Sequence, residues 1–158
     1  ANEMETCRYM GGEKMPDGTL KGFMDYTPEE IMNQSIFSIK QDITLLSNNI
    51  VKLGGKKIKE IFDKRGLTVA DIDYFLPHIS SEYFKPKIYE LIEIYGGGIP
   101  YEKWFINLYT VGNVGAASVF LMVNELFHSG RLKKGEKLLL LVPESARFSY
   151  VYAMLTVC

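Results

Sequence analysis

The chain has 158 residues and a mass of 18.0 kDa, with 47% hydrophobic and 13% aromatic residues, enough for one domain with a sizeable core. Eighteen basic residues against nineteen acidic ones leave a net charge of -1, so no overall basic field exists to hold a nucleic acid or an anionic membrane. No apolar stretch approaches the roughly 18 residues of a membrane-spanning helix, and Cys7 and Cys158 form neither a metal motif nor a disulfide framework, which suits a reducing, cytoplasmic setting.

Residues 1–26 carry Gly11, Gly12, Pro16, Asp17, Gly18 and Gly22 among scattered methionines and charges, and read as an irregular lead with turns around one short hairpin. Residues 27–158 are read as the domain itself. Ala1, where a Met would stand, suits a piece of a longer chain as well as a chain trimmed of its initiator. Thr27-Pro28-Glu29-Glu30 predicts a helix start, with a hydroxyl cap, proline in the first turn and acids at the positive end of the dipole. Ile31, Ser35, Ile39, Ile43, Leu46, Ile50 and Leu53 then recur at helical spacing, predicting one long helix that Gly54-Gly55 kinks or caps. Lys56 to Arg65 continues helical, lysines outward, until Gly66 ends it.

The run Ile72 to Leu76, stopped by Pro77-His78, predicts a buried strand, and Ser80 or Ser81 with Glu82 starts the next helix, which Gly96-Gly97-Gly98 and Pro100 close. "KWFINLY" predicts a second buried strand, Gly112-Asn113-Val114-Gly115 a tight turn, and "AASVFLMVNELFHSG" a helix closing at Gly130. "EKLLLLV" and "FSYVYAMLTV" follow as two strands, antiparallel because only Pro143 to Arg147 separates them. Alternating helical and strand periods give an α/β fold, a layered mixed sheet of about five strands flanked by helices.

In such a sheet, polar groups gather where strands end and helices begin. His78 and Asn113 both fall there, and a crossover between their strands brings them to one rim, with the turn Glu144-Ser145-Ala146-Arg147 able to complete it. A neutral imidazole and a carboxamide both donate hydrogen bonds, which suits an oxygen gaining negative charge; neither is a strong nucleophile here. From position alone, Asn113 equally suits a helix N-cap and His78 a satisfied structural histidine. His128 reads as a favourable charge near a helix C-terminus. "GNVGAA" lacks the full GxGxxG and its acidic partner, and "LGGKK" lacks P-loop spacing, so neither carries a nucleotide assignment.

"DIDYFLPHIS", "NLYTVGNVGAAS" and "SGRLKKGEKLLLLV" resemble, in order and spacing, the C-terminal half of 3-oxoacyl-acyl-carrier-protein synthase III and related thiolase-fold condensing enzymes. The resemblance spans residues 27–158. It implies a thiolase-like half whose partner, the N-terminal half, bears a nucleophilic cysteine, with His78 and Asn113 as the catalytic donors for decarboxylative Claisen condensation of an acyl thioester with a malonyl thioester. It further implies substrates carried on acyl carrier protein or coenzyme A, no metal or other cofactor, a cytoplasmic homodimer, an apolar face covered by the other half, and a fragment inactive alone for lack of the cysteine. Where the family has glycines before the final strand, this chain reads Glu144-Ser145-Ala146-Arg147-Phe148, leaving the Ala146 N–H as candidate oxyanion-hole donor. Where the family has "HQAN-x-R", this chain has "HISSEY", so Ser81 replaces the asparagine and Tyr83 the arginine associated with carrier-protein contact, leaving Ser81 as a candidate substrate or carrier contact. The absent cysteine and altered loop also suit a non-catalytic partner subunit or an acyl-binding module of a ketosynthase complex.

Overall fold

A computed structural model describes residues 7–8, 11–38, 40–96 and 98–158. The lead contains β1 (Cys7–Arg8), β2 (Gly12–Lys14) and β3 (Leu20–Gly22), the last two forming the expected antiparallel hairpin. Asp17 turns it by accepting hydrogen bonds from the Thr19 N–H and hydroxyl, and Gly18 adopts φ +86.

Helix α1 (Pro28–Gln34) opens on a capping box in which Thr27 Oγ1 accepts from Glu30 N and Glu30 Oε2 accepts from Thr27 N. The continuous helix expected from residue 31 to 53 does not form. Ser35 turns left-handed at φ 49, Ile36 drops into the core, and the chain runs through β4 (Lys40–Gln41), which pairs antiparallel with β1. Asp42 then caps a new start at Leu45 N, so α2 (Ile43–Arg65) is a separate helix. A second local capping signal thus overrides the unbroken periodicity: Ile43 is exposed, and Ile39 lies outside the described residues.

Gly54-Gly55 does not kink or cap α2, which runs straight through both residues to its left-handed cap at Gly66. The glycines serve close approach instead. A Cβ on Gly54 would lie 2.9 Å from the Tyr150 ring, and one on Gly55 would lie 3.0 Å from Tyr95 and 3.1 Å from Leu91. The lack of side chains here lets α2 press against the final strand and the next helix at one level.

The main sheet is built from β5 (Tyr74–Pro77), β6 (Lys137–Glu144) and β7 (Ser149–Thr156), in the order β5-β6-β7. Between β5 and β6 run α3 (Lys85–Gly96), α4 (Leu108–Val111) and α5 (Ser118–His128). β5 is parallel to β6, and β6 antiparallel to β7. Among the described residues the main sheet has three strands, β1 and β4 pair as a separate two-stranded sheet, and "KWFINLY", expected as a strand, joins neither. The 3-10 turn Tyr101–Lys103 precedes it and α4 begins at Leu108, leaving a single parallel bridge, Trp104 with Phe75, and one ladder bond, Phe105 N to Phe75 O at 2.8 Å. Asn107 is buried and ties this segment to α5 through Glu125 Oε2 at 2.9 Å.

Residues of β5 and β6 alternate between two cores, as strands buried on both faces must. Phe75, Leu139 and Leu141 pack with Ile58, Phe62 and Ile88 beneath α2 and α3, whereas Leu76, Leu138 and Leu140 pack with Val119, Met122 and Leu126 of α5. β7 fastens α2 by side chains: the Tyr150 hydroxyl donates to the Ile50 carbonyl and the Tyr152 hydroxyl to the Gly54 carbonyl, the latter at 2.8 Å.

Gly55→Ala sets a helix-propensity gain of about 1 kcal/mol against the cost of overpacking, about 1–3 kcal/mol. The crowding atoms include Leu91 Cβ, which cannot swing away, so the overpacking term wins. Denaturant unfolding should show a net loss on the order of 1 kcal/mol; a variant as stable as the parent would contradict this account of the α2–α3 contact.

Candidate active site

The carboxyl ends of β5 and β6 meet on one edge of the sheet. His78 follows β5, and its N–H donates to Leu141 O at 2.7 Å, extending the parallel ladder by one residue and pinning the histidine against β6. The side chain is only 7% exposed, and Nδ1 has no hydrogen-bond partner among the described residues. Burial holds the imidazole below its ordinary pKa of 6.5, since desolvation disfavours the charged ring. At neutral pH it is uncharged, with one N–H donor and one acceptor nitrogen.

Asn113 stands between two glycines in left-handed conformation, Gly112 at φ +79 and Gly115 at φ +60. Its Oδ1 accepts from Gly115 N at 3.1 Å, one turn ahead of α5. This is a local backbone cap. It also fixes the amide so that the oxygen is spent on the backbone and the NH₂ group remains as a pair of donors.

His78 and Asn113 line one cavity of about 550 Å³. Its polar wall is completed by Ser80, Gln41, Glu144 and Ser145, and its apolar wall comes from α2 and α3. The rim inferred from the sequence thus brings together His78, Asn113 and the start of the β6–β7 turn. Ser81 does not join them: it is exposed at the entry to the 3-10 turn Glu82–Phe84, and its neighbour Ser80 lines the cavity. Nor does Ala146. Its N–H donates to Glu144 Oε1 at 2.6 Å, and the next N–H, of Arg147, donates to Glu144 Oε2 at 3.0 Å, so the glutamate carboxylate takes up the expected oxyanion donor in this structure. Gln41 Nε2 donates to Ser145 Oγ at 3.2 Å, linking β4 to the same turn.

Several cavity residues carried no signal that was read from the sequence. Gln41 reaches the rim only because α1 and α2 are separate helices. Tyr150 and Tyr152 sit two apart on β7 and so share a face, a period-2 cue pointing both toward α2. Burial pushes both hydroxyls well above the ordinary tyrosine range, so they stay neutral hydrogen-bond donors. His128 is exposed at the end of α5, with Nδ1 2.8 Å from Asn124 O, far along the helix from the Asn113 turn. Among the described residues, no group of three or more His, Cys, Asp or Glu side chains is placed to hold a metal ion, and no helix is long and apolar enough to cross a membrane.

Comparison with known proteins bears on this site directly. The family model described as 3-oxoacyl-[acyl-carrier-protein (ACP)] synthase III C terminal matches residues 62–145, more than half of the chain. Beta-ketoacyl-[acyl-carrier-protein] synthase III of Clostridium acetobutylicum is 28% identical over 135 residues, covering 77% of this chain and 38% of its own length. The enzyme of the same name from Deinococcus deserti is 33% identical over 91 residues, 58% of this chain and 25% of its own. The chain therefore spans well under half the length of these curated relatives. Among solved structures, beta-ketoacyl-[acyl carrier protein] synthase III of Thermus thermophilus shares the fold with a TM-score of 0.71 and 23% identity over 98% of this chain and 42% of its own. Xanthomonas campestris OleA, crystallised with lauric acid and lauroyl-CoA, aligns with a TM-score of 0.65 and 27% identity over 77% of this chain and 34% of its own. The family match runs from the last turn of α2 to the β6–β7 turn and contains both His78 and Asn113. By fold and by sequence alike, this chain belongs to the 3-oxoacyl-[acyl-carrier-protein] synthase III C-terminal family and is a thiolase-like half.

Proposed function

We propose that this chain supplies the enolate-stabilising half of a condensing enzyme that joins an acyl thioester to a malonyl thioester carried on acyl carrier protein or coenzyme A. The observation that carries the reading is the convergence of His78 and Asn113 on one cavity, each with donor capacity to spare. As the malonyl group loses carbon dioxide, the electron pair of the breaking C–C bond flows toward the thioester oxygen. The His78 N–H and the Asn113 NH₂ group donate to that oxygen, and the resulting enolate carbon attacks the acyl group held on a cysteine of the N-terminal half, forming the new C–C bond as the acyl C–S bond breaks and the cysteine leaves as its thiolate. Donors held by the strand end and by the Gly112–Gly115 turn need no reorganisation as charge develops. A neutral His78 fits this role, because it stabilises the oxygen without surrendering a full proton to it. The reaction so written needs no metal or redox cofactor.

This chain has no cysteine at the rim: Cys158 is exposed beyond β7, and Cys7 lies in β1. Under this reading the chain is inactive by itself, and the N-terminal half covers apolar surface beside the site. Tyr109 and Phe120, 77% and 72% exposed on either side of the Asn113 turn in sequence, support such a partner face. Pairing of two copies and a cytoplasmic setting belong to the same proposal.

The test uses the full-length polypeptide that carries this chain. Asn113→Asp keeps an oxygen for Gly115 N but removes both donors. Malonyl decarboxylation should fall about 100- to 1,000-fold with the melting temperature unchanged; full activity would leave Asn113 a backbone cap only. His78→Ala should give a loss of similar size in a folded protein, and retained decarboxylation would sink the assignment.

An NMR titration should find the His78 ring titrating below 6.5. With the folded value depressed, the unfolded chain takes up the proton first as pH falls. The neutral ring's contribution to stability is then fully present above 6.5 and lost as pH drops toward the folded value. His78→Gln should flatten that part of the acid-stability curve; an unchanged curve would contradict the burial argument.

A further inference from the structure

His78 is held by the strand ladder, but Asn113 sits in a looser stretch of chain. Residues 109–117 are all exposed, and Gly112 and Gly115 on either side of Asn113 adopt left-handed conformation. Glycines and exposure leave such a turn free to open locally unless its ends are tied. The tie at its start is Asn107.

Among the described residues, the buried polar side chains are His78, Asn107 and Ser118. Asn107 and Ser118 face one small void of about 10 Å³, which Pro77, Ile79 and Gly112 also line. Pro77 and Ile79 are the chain neighbours of His78, and Gly112 is the chain neighbour of Asn113, so Asn107 lies beside the backbone that carries both donors. A buried carboxamide is costly unless its polar atoms are paired. Asn107 Nδ2 donates to the Glu125 carboxylate of α5 at 2.9 Å, a charge-assisted bond. Its backbone carbonyl accepts from Thr110 N at 3.2 Å, Val111 N at 2.9 Å and Thr110 Oγ1 at 3.1 Å, which forms the turn of α4 that delivers Gly112. The far end of the Asn113 turn runs through a 3-10 turn (Gly115–Ala117) into α5 itself. The Asn107–Glu125 bond therefore closes a loop on α5 with Asn113 inside it.

We infer that Asn107 and Glu125 are positioning residues for the reaction: their hydrogen bond holds the Asn113 amide where it and His78 can donate to one oxygen. The inference rests on the proposed donor role of Asn113 and adds to it the pair that sets the donor's place. Neither residue lines the large cavity, so both act through the turn and not on the substrate. A displacement of about 1 Å at a reacting group costs on the order of 100-fold in rate.

The test measures malonyl decarboxylation and cysteine acylation separately in the full-length polypeptide. Glu125→Ala removes the acceptor at an exposed helical position where alanine is favoured, so the fold is kept. Its kcat for decarboxylation should fall about 10- to 100-fold, with KM for the malonyl thioester and the acylation rate unchanged. Glu125→Gln, which keeps an oxygen for Asn107 Nδ2, should restore most of the rate. Asn107→Asp sets two carboxylates against each other and should be as slow as E125A, whereas N107D/E125Q rebuilds the bond with donor and acceptor exchanged and should recover. Parental decarboxylation in E125A, acylation and decarboxylation lowered alike, or E125Q no faster than E125A would each overturn the inference.

Asn113→Asp separates this inference from the function it rests on. If N113D is slow and E125A is not, the donor assignment stands and the positioning pair is overturned. In the N113D background, E125A should add no further loss, because its effect passes through Asn113; fully additive losses would overturn the pair. N113D at the parental rate refutes the donor assignment, yet amide hydrogen exchange at Gly115, whose N–H donates to Asn113 Oδ1, still reports on the turn alone. That exchange should be about tenfold faster in E125A than in the parent, and equal exchange would overturn the tie.

Discussion

Everything at the candidate site depends on the parallel pairing of β5 with β6. Tyr74–Pro77 lies in register with Leu138–Leu141, and the ladder ends with His78 N–H on Leu141 O. Because both strands are buried on both faces, this pairing is covered by α2 and α3 on one side and by α5 on the other. A slip of one residue would send Phe75 and Leu76 into each other's cores and carry His78 off the rim, so the same hydrophobic alternation that stabilises the sheet fixes the register of the histidine. The β6–β7 turn and the glycine-flanked Asn113 turn are then fixed relative to it by the strands and helices that bear them.

Much of this was legible in the sequence because it is local chemistry. The Thr27 capping box, the stops at Gly66 and Gly96, the apolar alternation of β6 and the short antiparallel return to β7 each follow from a few adjacent residues. His78 and Asn113 were legible because their strand-end and turn positions are set by the same signals. What the sequence did not disclose depends on packing between distant segments. Gly54-Gly55 has the composition of a helix break, and only Tyr150, Tyr95 and Leu91 on the far side explain why the helix passes through it. "KWFINLY" has strand composition, but Asn107, bound to Glu125, draws its second half into α4. The apolar period across residues 31–53 concealed a break made by Ser35 and Asp42, whose effects are conformational and not hydrophobic.

The departures from the family's usual residues now have a physical reading. A glycine loop is free to offer backbone N–H groups to a ligand, whereas here Glu144 folds back on its own turn and holds the N–H groups of Ala146 and Arg147. Phe148 closes the turn in left-handed conformation at φ 56 and is buried against Leu46 and Ile50. The turn is thereby fastened to α2, the helix that also lines the cavity at the candidate site, so that loop and helix pack as one unit.

The central claim is that His78 and Asn113 act together on one oxygen. A crystal structure of the full-length polypeptide with a non-hydrolysable malonyl thioester analogue tests it most directly. The account predicts the thioester oxygen within hydrogen-bond reach of both the His78 ring and the Asn113 amide nitrogen. An analogue bound with that oxygen on other donors, and with Asn113 still engaged only with Gly115, would contradict it.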